Sequence, residues 1–432
     1  MKILSYKDAE FPLAAEKMKR RAVPTDALRD TVASIIREVA VHGDKALVSF
    51  TEKFDGVTLS KDELFVSASE FAQAAQQVSD QTRRAIKATL ANIHAFARKS
   101  ERKDWSHKNA QGAWVGERFT PFDRVGVYVP GGKAPLVSTA LMTAGFAQAV
   151  GVPQIIAATP AGAEGKINPS LLYALQAAGV TEVLKVGGAH AVAALALGTS
   201  SVNPVDRIFG PGNRFVVEAK RQLVGAVSID LLPGPSEILI LADRSGNADC
   251  IAADILAQAE HGGDSVVGFL TDSKALLSKV IKAVERQSAL LSRSSIIDEV
   301  LQKGTFLYHV KSLQEGMRLV NDFAPEHLSL IVEDEKHWLD QVRTAGAIYV
   351  GNASPVAVGD FLAGPSHTLP TGGAGRSFSG LRADQFQRRT SIVKMDVSAV
   401  KKSLPFTDEF ARIEGLDAHG RSVSIRLDSL QE

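Results

Sequence analysis

Gln258 and His261 are the first residues in this sequence whose types and spacing suggest chemistry. They stand three residues apart at the end of an apolar helical pattern, so their side chains share one face of the helix. An amide oxygen and an imidazole nitrogen are credible zinc ligands. Polar pairs at this spacing are also common on helices that bind no metal, so the pair alone indicates only a candidate metal site.

Glu326 and His327 form a second pair, directly after Pro325 and before a predicted strand. Proline restricts the preceding residue to extended geometry and produces a sharp entry into the strand. Adjacent side chains diverge, so in a loop these two could serve two different proton transfers. A surface glutamate beside a partly buried histidine is the alternative, and the pattern leaves both open.

A third group of polar residues lies near the end of the chain. Asp360 follows the predicted strand 347–350, and function in α/β sheets is usually found beyond the carboxyl ends of strands. Glu414 and His419 lie in a terminal segment, where an exposed charged turn is the ordinary explanation. Ligand-type residues in such a segment also fit a site that is completed across domains or subunits.

Glycine-rich loops occur where predicted strands feed helices, at residues 130–132, 187–189, 210–213 and 234–236. Helix N-termini at the carboxyl edge of a parallel sheet bind phosphates. Neither common fingerprint is met, because residues 210–215 lack the third glycine of G-x-G-x-x-G and residues 127–134 fail the Walker A pattern at both ends. Turn chemistry explains any single loop, whereas four loops on one edge suggest a nucleotide or similar anionic ligand.

The elements that must position these residues follow a regular pattern from residue 124, where short apolar runs alternate with helical stretches. This βαβ pattern predicts an α/β fold with two Rossmann-like parallel-sheet units, joined near residues 233–235. Residues 1–22 have the pattern of a short charged helix. We therefore expect two parallel-sheet units, a helical N-terminal segment and a small C-terminal arm that is polar and irregular with helical pieces.

Composition excludes several classes of protein. With 49 Lys and Arg against 48 Asp and Glu, the chain has no long-range field for a polyanion, so a nucleic-acid partner is disfavoured. The single cysteine, Cys250, excludes an internal disulfide and a thiolate zinc cage, and its apolar surroundings predict a core position. The uncharged stretch 134–163 is broken by Pro153 and Pro160, which favours a buried helix and strand over a membrane span. Without an apolar leader at the N-terminus, we expect a cytoplasmic protein.

In order along essentially the whole chain, these segments resemble the histidinol dehydrogenase family. The matching segments are residues 126–132, 186–189, 209–213, 234–237, 258–262, 325–328, 359–360, 366–371 and 414–419. The resemblance implies a zinc- and NAD-dependent enzyme of histidine biosynthesis that oxidises L-histidinol to L-histidine through histidinaldehyde. It also implies a homodimer in which the C-terminal arm reaches the partner's active site.

The resemblance assigns roles to individual residues. It implies one zinc per subunit, held by Gln258, His261, Asp360 and His419. It implies a catalytic pair, in which His327 takes the hydroxyl proton and Glu326 activates the water that hydrates the aldehyde. It implies that the substrate contacts these four ligands and also His327, Ser236, His367 and Glu414. It implies that NAD contacts Tyr128, His190 and Asn213.

The predicted domains are residues 1–22 as an N-terminal helical segment, 23–123 plus 237–378 as a first α/β domain, 124–236 as a second α/β domain, and 379–432 as the arm. By resemblance, the first α/β domain carries the catalytic and zinc residues and the second carries the NAD loops. One departure concerns His190, where the family usually has glutamine. Cofactor affinity or its pH dependence is therefore in question, and a packing role for His190 is the alternative.

Two other functions are compatible with parts of this residue pattern. A relative with the same fold could oxidise another alcohol, for example one bearing a sulfonate or carboxylate, but Glu414 and His367 favour an imidazole, whose ring N–H can pair with Glu414. A non-catalytic zinc and nucleotide sensor is the rival from another class. The intact Glu326 and His327 pair argues against a sensor.

Overall fold

The computed structural model describes residues 1–20, 25–131 and 135–429 of the chain. Gly132, in the first glycine-rich loop, lies outside the described residues. The N-terminal part contains β1 (Lys2–Ser5), α1 (Phe11–Glu16), α2 (Asp26–His42), α3 (Asp44–Phe50), α4 (Ala68–Gln77) and α5 (Asp80–Ser100).

The predicted helix over residues 1–22 is wrong for its first part, because Lys2–Ser5 forms β1 and pairs in parallel with a strand that begins at Thr305. A few residues cannot nucleate a stable helix by themselves. The exposed edge of a sheet offers them a complete set of backbone hydrogen bonds instead. Leu4 is buried by this pairing while Ile3 faces solvent, as expected for a strand.

The next part of the chain builds a five-stranded parallel sheet. Its elements and the hairpin before it are β2 (Trp105–Lys108), β3 (Trp114–Pro121), β4 (Arg124–Tyr128), α6 (Val137–Val150), β5 (Gln154–Ala158), α7 (Pro169–Ala177), β6 (Glu182–Leu184), α8 (Gly188–Leu197), β7 (Arg207–Phe209), α9 (Arg214–Leu223) and β8 (Ser228–Ile229). The order β6-β5-β4-β7-β8 confirms a Rossmann-like unit. The chain direction reverses at β4, so β4 and β7 border the crevice where such sheets bind ligands.

A second parallel sheet follows after seven linking residues. Its elements are β9 (Glu237–Ala242), α10 (Ala248–Ala259), β10 (Val266–Thr271), α11 (Lys274–Ser288), α12 (Ser294–Lys303), β11 (Thr305–His309), α13 (Leu313–Phe323), β12 (His327–Ile331), α14 (Glu335–Leu339), β13 (Ala347–Val350) and α15 (Val356–Phe361). The order β1-β11-β10-β9-β12-β13 is again Rossmann-like, with β1 added at one edge. Both parallel sheets predicted from the sequence are therefore confirmed.

The C-terminal part is more regular than predicted. It contains β14 (Gln387–Lys394), α16 (Val397–Glu414) and α17 (Asp417–Ser429). β14 pairs antiparallel with β3 over eight residues, which corrects the irregular character predicted from residue 379. The polar sequence of β14 conceals the strand because its side chains are mostly exposed and give no apolar alternation.

Each parallel sheet is covered by apolar clusters on both faces. Helices α2 and α5 belong to the clusters of the five-stranded sheet, so residues 26–100 pack with that sheet. This packing favours grouping them with residues 124–229, while the predicted domain boundaries themselves stay a prediction. Cys250 is exposed at the start of α10, so its predicted core position is wrong. Among the described residues, no helix combines the length and apolarity needed to span a membrane.

Candidate active site

The end of α10 carries the first pair of candidate residues. Helix α10 begins at an Asn247 cap and ends at Ala259, so its last turn points back to the amino edge of the six-stranded sheet. Gln258 is buried there, and its Nε2 atom has no hydrogen-bond partner among the described residues. His261 follows the helix at the surface, near enough to Asp360 and His327 for their charges to act on its pKa.

Glu326 and His327 stand where α13 turns into β12. Ala324, which precedes Pro325 and is predicted to be extended, instead ends the helix in the left-handed conformation with φ of 52°, as no other described non-glycine residue does. Such strain persists only where the surrounding structure fixes it, and it often accompanies functional sites. The backbone oxygen of Glu326 accepts a hydrogen bond from Ala347 N at 2.9 Å, which fixes the turn against β13.

Glu326 is a buried carboxylate with two donors on the same oxygen. Ser236 Oγ donates to its Oε2 at 2.9 Å, and the backbone N–H of Glu237 donates to Oε2 at 2.7 Å. Burial raises the pKa of Glu326 to about 7, against the opposing effects of His327 and these two hydrogen bonds. Such a carboxyl exchanges protons readily near neutral pH.

The imidazole of His327 contacts the backbone of Glu237 through one ring nitrogen and the side chain of Asp360 through the other. Its Nδ1 lies 3.0 Å from the carbonyl oxygen of Glu237, and because a carbonyl only accepts, Nδ1–H is the donor. Its Nε2 lies 3.4 Å from Oδ1 of Asp360. Burial disfavours the imidazolium, but the charges of Glu326 and Asp360 outweigh burial and raise the pKa of His327 to about 9.

His367 joins the two sheet units beside this cluster. Its Nδ1 donates to the carbonyl oxygen of Asp360 at 3.0 Å, and its Nε2 accepts from Thr139 Oγ1 at 3.1 Å. Thr139 belongs to the first turn of α6, at the carboxyl edge of the five-stranded sheet. At His367, the carboxyl edge of the five-stranded sheet therefore meets the amino edge of the six-stranded sheet.

Asp360 corrects one expectation from the sequence. It lies near the end of α15, which returns from β13 to the amino edge of the six-stranded sheet. The catalytic cluster therefore sits at the amino ends of β9 and β12, not beyond a carboxyl end. The spacing after strand 347–350 could not reveal this, because a return helix carries the chain back across the sheet.

The residues of this cluster fit an oxygen- and nitrogen-bound metal. Gln258 Nε2, His327 Nε2 and Asp360 Oδ1 are buried polar atoms without hydrogen-bond partners in the described chain. No three His, Cys, Asp or Glu side chains of the described residues gather as a metal cluster. Of the predicted ligands of those types, His261 and Asp360 lie near each other, whereas His419 is exposed in α17 and has no contact with them among the described residues.

Glu414 and His419 are not joined to this cluster within one chain. Both are exposed, and no hydrogen bond or ion pair of the described residues links either side chain to the other predicted site residues. Their helices α16 and α17 pack against each other. The structure thus gathers Ser236, His261, Glu326, His327, Asp360 and His367. Gln258 is buried three residues before His261, and the two arm residues lie apart.

The predicted NAD residues lie at the carboxyl edge of the five-stranded sheet. Tyr128 ends β4, is buried, and its hydroxyl accepts from Gly188 N at 3.0 Å, while burial raises its pKa to about 12. Asn213 caps α9 by accepting from Phe215 N and Val216 N, at 3.0 and 3.1 Å. These two residues border the crevice between β4 and β7.

His190 is fully buried in α8 and packs against two aromatic rings. Its ring centroid lies 5.6 Å from that of Phe50 and 5.9 Å from that of Phe54. Neither ring nitrogen has a hydrogen-bond partner among the described residues. Burial lowers the pKa of His190 to about 4, so the ring is neutral at pH 7.

A buried ion pair holds the loop between β7 and α9. Lys220 Nζ contacts Asp230 Oδ1 and donates to the carbonyl oxygen of Gly210 at 3.0 Å, while Gly210 N donates to Asp230 Oδ2 at 2.7 Å. Gly210 has φ of 113°, and a Cβ there would lie 2.2 Å from the backbone oxygen of Tyr128. Only glycine therefore fits at this approach of the two strands.

A cavity of about 890 Å³ opens beyond β4 and β5. It is lined by Phe54, Asp55, Pro130, Gly131, Thr159 and Pro160, among others. Asp55 Oδ2 and Thr159 Oγ1 are buried without partners in the described chain, and burial raises the pKa of Asp55. Sequence reasoning missed Asp55, because only the packing of the N-terminal helices brings it to this edge.

Two sheets with dinucleotide-binding strand order, a large cavity at one edge and a buried acid–base pair at the facing edge define an α/β dehydrogenase. A model of the histidinol dehydrogenase family matches residues 18–427, and this chain belongs to that family of oxidoreductases.

Individual histidinol dehydrogenases are similar to this chain along nearly its full length. Histidinol dehydrogenase of a Synechococcus strain is 42% identical over 400 residues, covering 93% of this chain and 92% of that protein. Histidinol dehydrogenase of Syntrophotalea carbinolica is 40% identical over 428 residues, covering 99% of each. The crystal structure of histidinol dehydrogenase from Elizabethkingia anophelis superposes with a TM-score of 0.94 at 34% identity, covering 100% of this chain and 99% of that one.

A more distant structure shares only the fold. An acetylating aldehyde dehydrogenase from Geobacillus thermoglucosidasius gives a TM-score of 0.50 at 12% identity, over 89% of this chain and 94% of that chain. The resemblance to histidinol dehydrogenases seen in the sequence is confirmed. Neither rival function is favoured, since the full-length relatives carry the name of one enzyme.

Proposed function

We propose that this protein oxidises L-histidinol to L-histidine in two successive steps, through histidinaldehyde, with NAD as oxidant and one zinc ion per subunit. The observation that carries the proposal is the buried Glu326 and His327 pair, in which His327 Nε2 lies 3.4 Å from Oδ1 of Asp360, an atom without a hydrogen-bond partner in the described chain. In a member of the histidinol dehydrogenase family, these groups are suited to two proton transfers on one bound substrate.

In the first step, His327 removes the hydroxyl proton of histidinol. Because Nδ1–H donates to the Glu237 carbonyl, Nε2 carries the lone pair when His327 is neutral. The raised pKa of about 9 means that the ring must first give up its Nε2 proton to act as this base. The alcohol loses this proton and a hydride from the same carbon, which gives the aldehyde. When bound, NAD would accept the hydride, and zinc held by the proposed ligands would orient the substrate.

In the second step, Glu326 activates water. Both of its hydrogen-bond donors bind Oε2, so we assign the water to Oε1. The carboxylate takes a proton from water as the oxygen adds to the aldehyde, and His327 returns its proton to the carbonyl oxygen, which gives the hydrate. The hydrate then loses a hydroxyl proton to His327 and a second hydride, which a second NAD would accept, to become the carboxylic acid. His367 and Ser236 would contact the substrate from the two sides of the cleft.

The zinc ligands we propose are Gln258, His261 and Asp360 of one subunit and His419 of the partner subunit. This set supplies only oxygen and nitrogen ligands, and Cys250, the one cysteine, lies at the surface. Support for an arm that crosses between subunits comes from α16, where Phe406 and Phe410 are 58% and 64% exposed. Large apolar side chains that are exposed next to each other on one helix usually mark an interface. We therefore propose a homodimer in which the arm carries Glu414 and His419 to the partner's site.

The NAD site we propose is the crevice at the carboxyl edge of the five-stranded sheet. Its cavity, about 890 Å³, falls within the usual range for cofactor sites. Tyr128 and Asn213 border the crevice, and His190 lies beneath Phe54, which lines the cavity. A neutral His190 keeps one donor and one acceptor, as glutamine does.

The experiment that tests the proposed function is the stoichiometry of NADH formed from limiting L-histidinol by the zinc-loaded enzyme. Two NADH per histidinol, with L-histidine as the product, are expected. The proposal would be contradicted if only one NADH formed per histidinol and the aldehyde accumulated. It would also be contradicted if histidinol gave no NADH while an alcohol bearing a sulfonate or carboxylate was oxidised. A Glu333→Gln variant, with an exposed glutamate changed, serves as the control.

A further inference from the structure

We propose that Glu237, held by Arg20, is the positioning residue that fixes both catalytic side chains at once. The proposal rests on the proposed function, because it takes Glu326 and His327 as the catalytic pair. It adds two residues that contact neither substrate nor cofactor in that scheme. It also gives the N-terminal segment a part in catalysis.

The backbone of Glu237 contacts both members of the pair. Its N–H donates to Glu326 Oε2 at 2.7 Å, and its carbonyl oxygen accepts from His327 Nδ1 at 3.0 Å. One residue of β9 therefore orients the carboxylate and selects the tautomer of the imidazole. Since β9 and β12 are neighbouring strands, a shift of Glu237 would move both contacts together.

The side chain of Glu237 is anchored by two groups from distant parts of the chain. It is 1% exposed, and its Oε2 lies 2.6 Å from Nη2 of Arg20. The two groups approach without the angular alignment of a regular hydrogen bond, so the contact is an ion pair. Its Oε1 accepts from Gly372 N at 3.0 Å. A buried carboxylate that loses the cation of its ion pair is strongly destabilised, so Arg20 holds Glu237 in place.

Arg20 also contacts the other side of the catalytic pair. Its guanidinium lies 3.6 Å from the centre of the Phe323 ring, at the end of α13. The next residue, Ala324, is the strained turn that leads into Glu326. Arg20 thus touches the segment before Glu326 and the side chain of Glu237. Through these contacts it ties the amino ends of β9 and β12 to one another.

This arrangement predicts a kinetic signature. Loss of Arg20 misaligns Glu326 and His327 together, so both half-reactions should slow by similar factors. A misplacement of about 1 Å can cost about 100-fold in rate. Apart from His327, the proposed substrate and NAD contacts do not depend on Arg20, so the KM values should change much less than kcat. A Glu326 variant, in contrast, should slow mainly the second half-reaction.

The test compares Arg20→Met, Arg20→Lys and Glu237→Gln with the surface control Arg244→Met, whose ion pair with Glu333 is exposed. We expect R20M and E237Q to lower kcat of both half-reactions by about 10- to 100-fold, with KM within about threefold. R20K should recover part of the loss, and the R20M/E237Q double variant should be no worse than either single variant.

Several results would overturn the proposal. These are an unchanged kcat in R20M, a loss confined to the second half-reaction, or losses in the double variant that multiply. If R20M fails to fold, R20K and E237Q still decide the question through the split between kcat and KM. Failure of the proposed function is a separate result, because wild-type protein would then form no NADH from histidinol.

Discussion

Nε2 of His327 lies 3.4 Å from Oδ1 of Asp360, and neither atom has a hydrogen-bond partner among the described residues. With Nδ1–H donating to Glu237, a neutral His327 directs a lone pair towards the carboxylate. Two electron-rich atoms at this distance repel each other unless positive charge lies between or beside them. The site is therefore arranged to receive a proton or a metal ion at this point.

Replacing Glu326 with Gln should separate the two half-reactions. The amide cannot take a proton from water, so oxidation of histidinaldehyde should fall by about 100- to 10,000-fold, whereas oxidation of histidinol should fall much less. Single-turnover assays with each substrate measure the two steps. Equal losses in both steps would show that Glu326 is not the residue that activates water.

The pH dependence of aldehyde oxidation should report the carboxyl of Glu326. Burial raises the pKa of Glu326 to about 7, and the carboxylate form is the active base. The rate should therefore rise with pH through about 7 and fall at lower pH as the carboxyl becomes protonated. A rate that is flat from about pH 5.5 to 8.5, with chemistry limiting, would contradict this prediction.

Replacing His261 with Asn should empty the proposed zinc site. Asparagine lacks the imidazole nitrogen and is a poor zinc ligand, so bound zinc should fall from one per chain to nearly none. Elemental analysis after gel filtration measures the content directly. His337→Asn, which changes an exposed histidine in α14, is the matched control and should keep its zinc. Full zinc in H261N would remove His261 from the ligand set.

His190 should make the free energy of unfolding depend on pH. Burial lowers its folded pKa to about 4, below the value of about 6.5 in the unfolded chain. The folded protein therefore binds fewer protons than the unfolded chain, and stability present above pH 6.5 is lost as the pH falls towards 4. The loss reaches at most about 3 kcal/mol.

Urea unfolding at several pH values measures this effect. His190→Gln should lose less stability than wild type between about pH 6.5 and 4, because glutamine does not titrate. His337→Gln, with an exposed histidine changed, should behave as wild type over the same range. Equal pH dependence in wild type and H190Q would mean that His190 is accessible to protons in the folded state.

Truncation before Arg412 should abolish activity while leaving the two sheet units folded. The removed residues include Glu414 and His419, and the rest of the chain keeps both apolar cores. Activity and far-ultraviolet circular dichroism of the truncated protein provide the measurement. Retained activity would show that the arm contributes nothing to the site.

The sequence predicted the parallel sheets well because buried strands such as β9 and β10 are continuous apolar runs between helical patterns. It missed β1 and β14, whose pairing depends on partners far along the chain. Residue type and position singled out Glu326, His327 and Gln258 as candidates, whereas their individual roles were implied by the resemblance and stay proposals. Neither pattern nor spacing could reveal that Arg20 reaches Glu237, because an ion pair over such a separation leaves no local signal.

The exposed arm has a consequence for genetics. If α16 and α17 complete the partner's site, a mutation in His261 and a mutation in His419 damage different halves of each site. In a cell that makes both mutant chains equally, half of the dimers are mixed, and each mixed dimer has one intact site. Two inactive alleles would then complement each other and restore about a quarter of full activity.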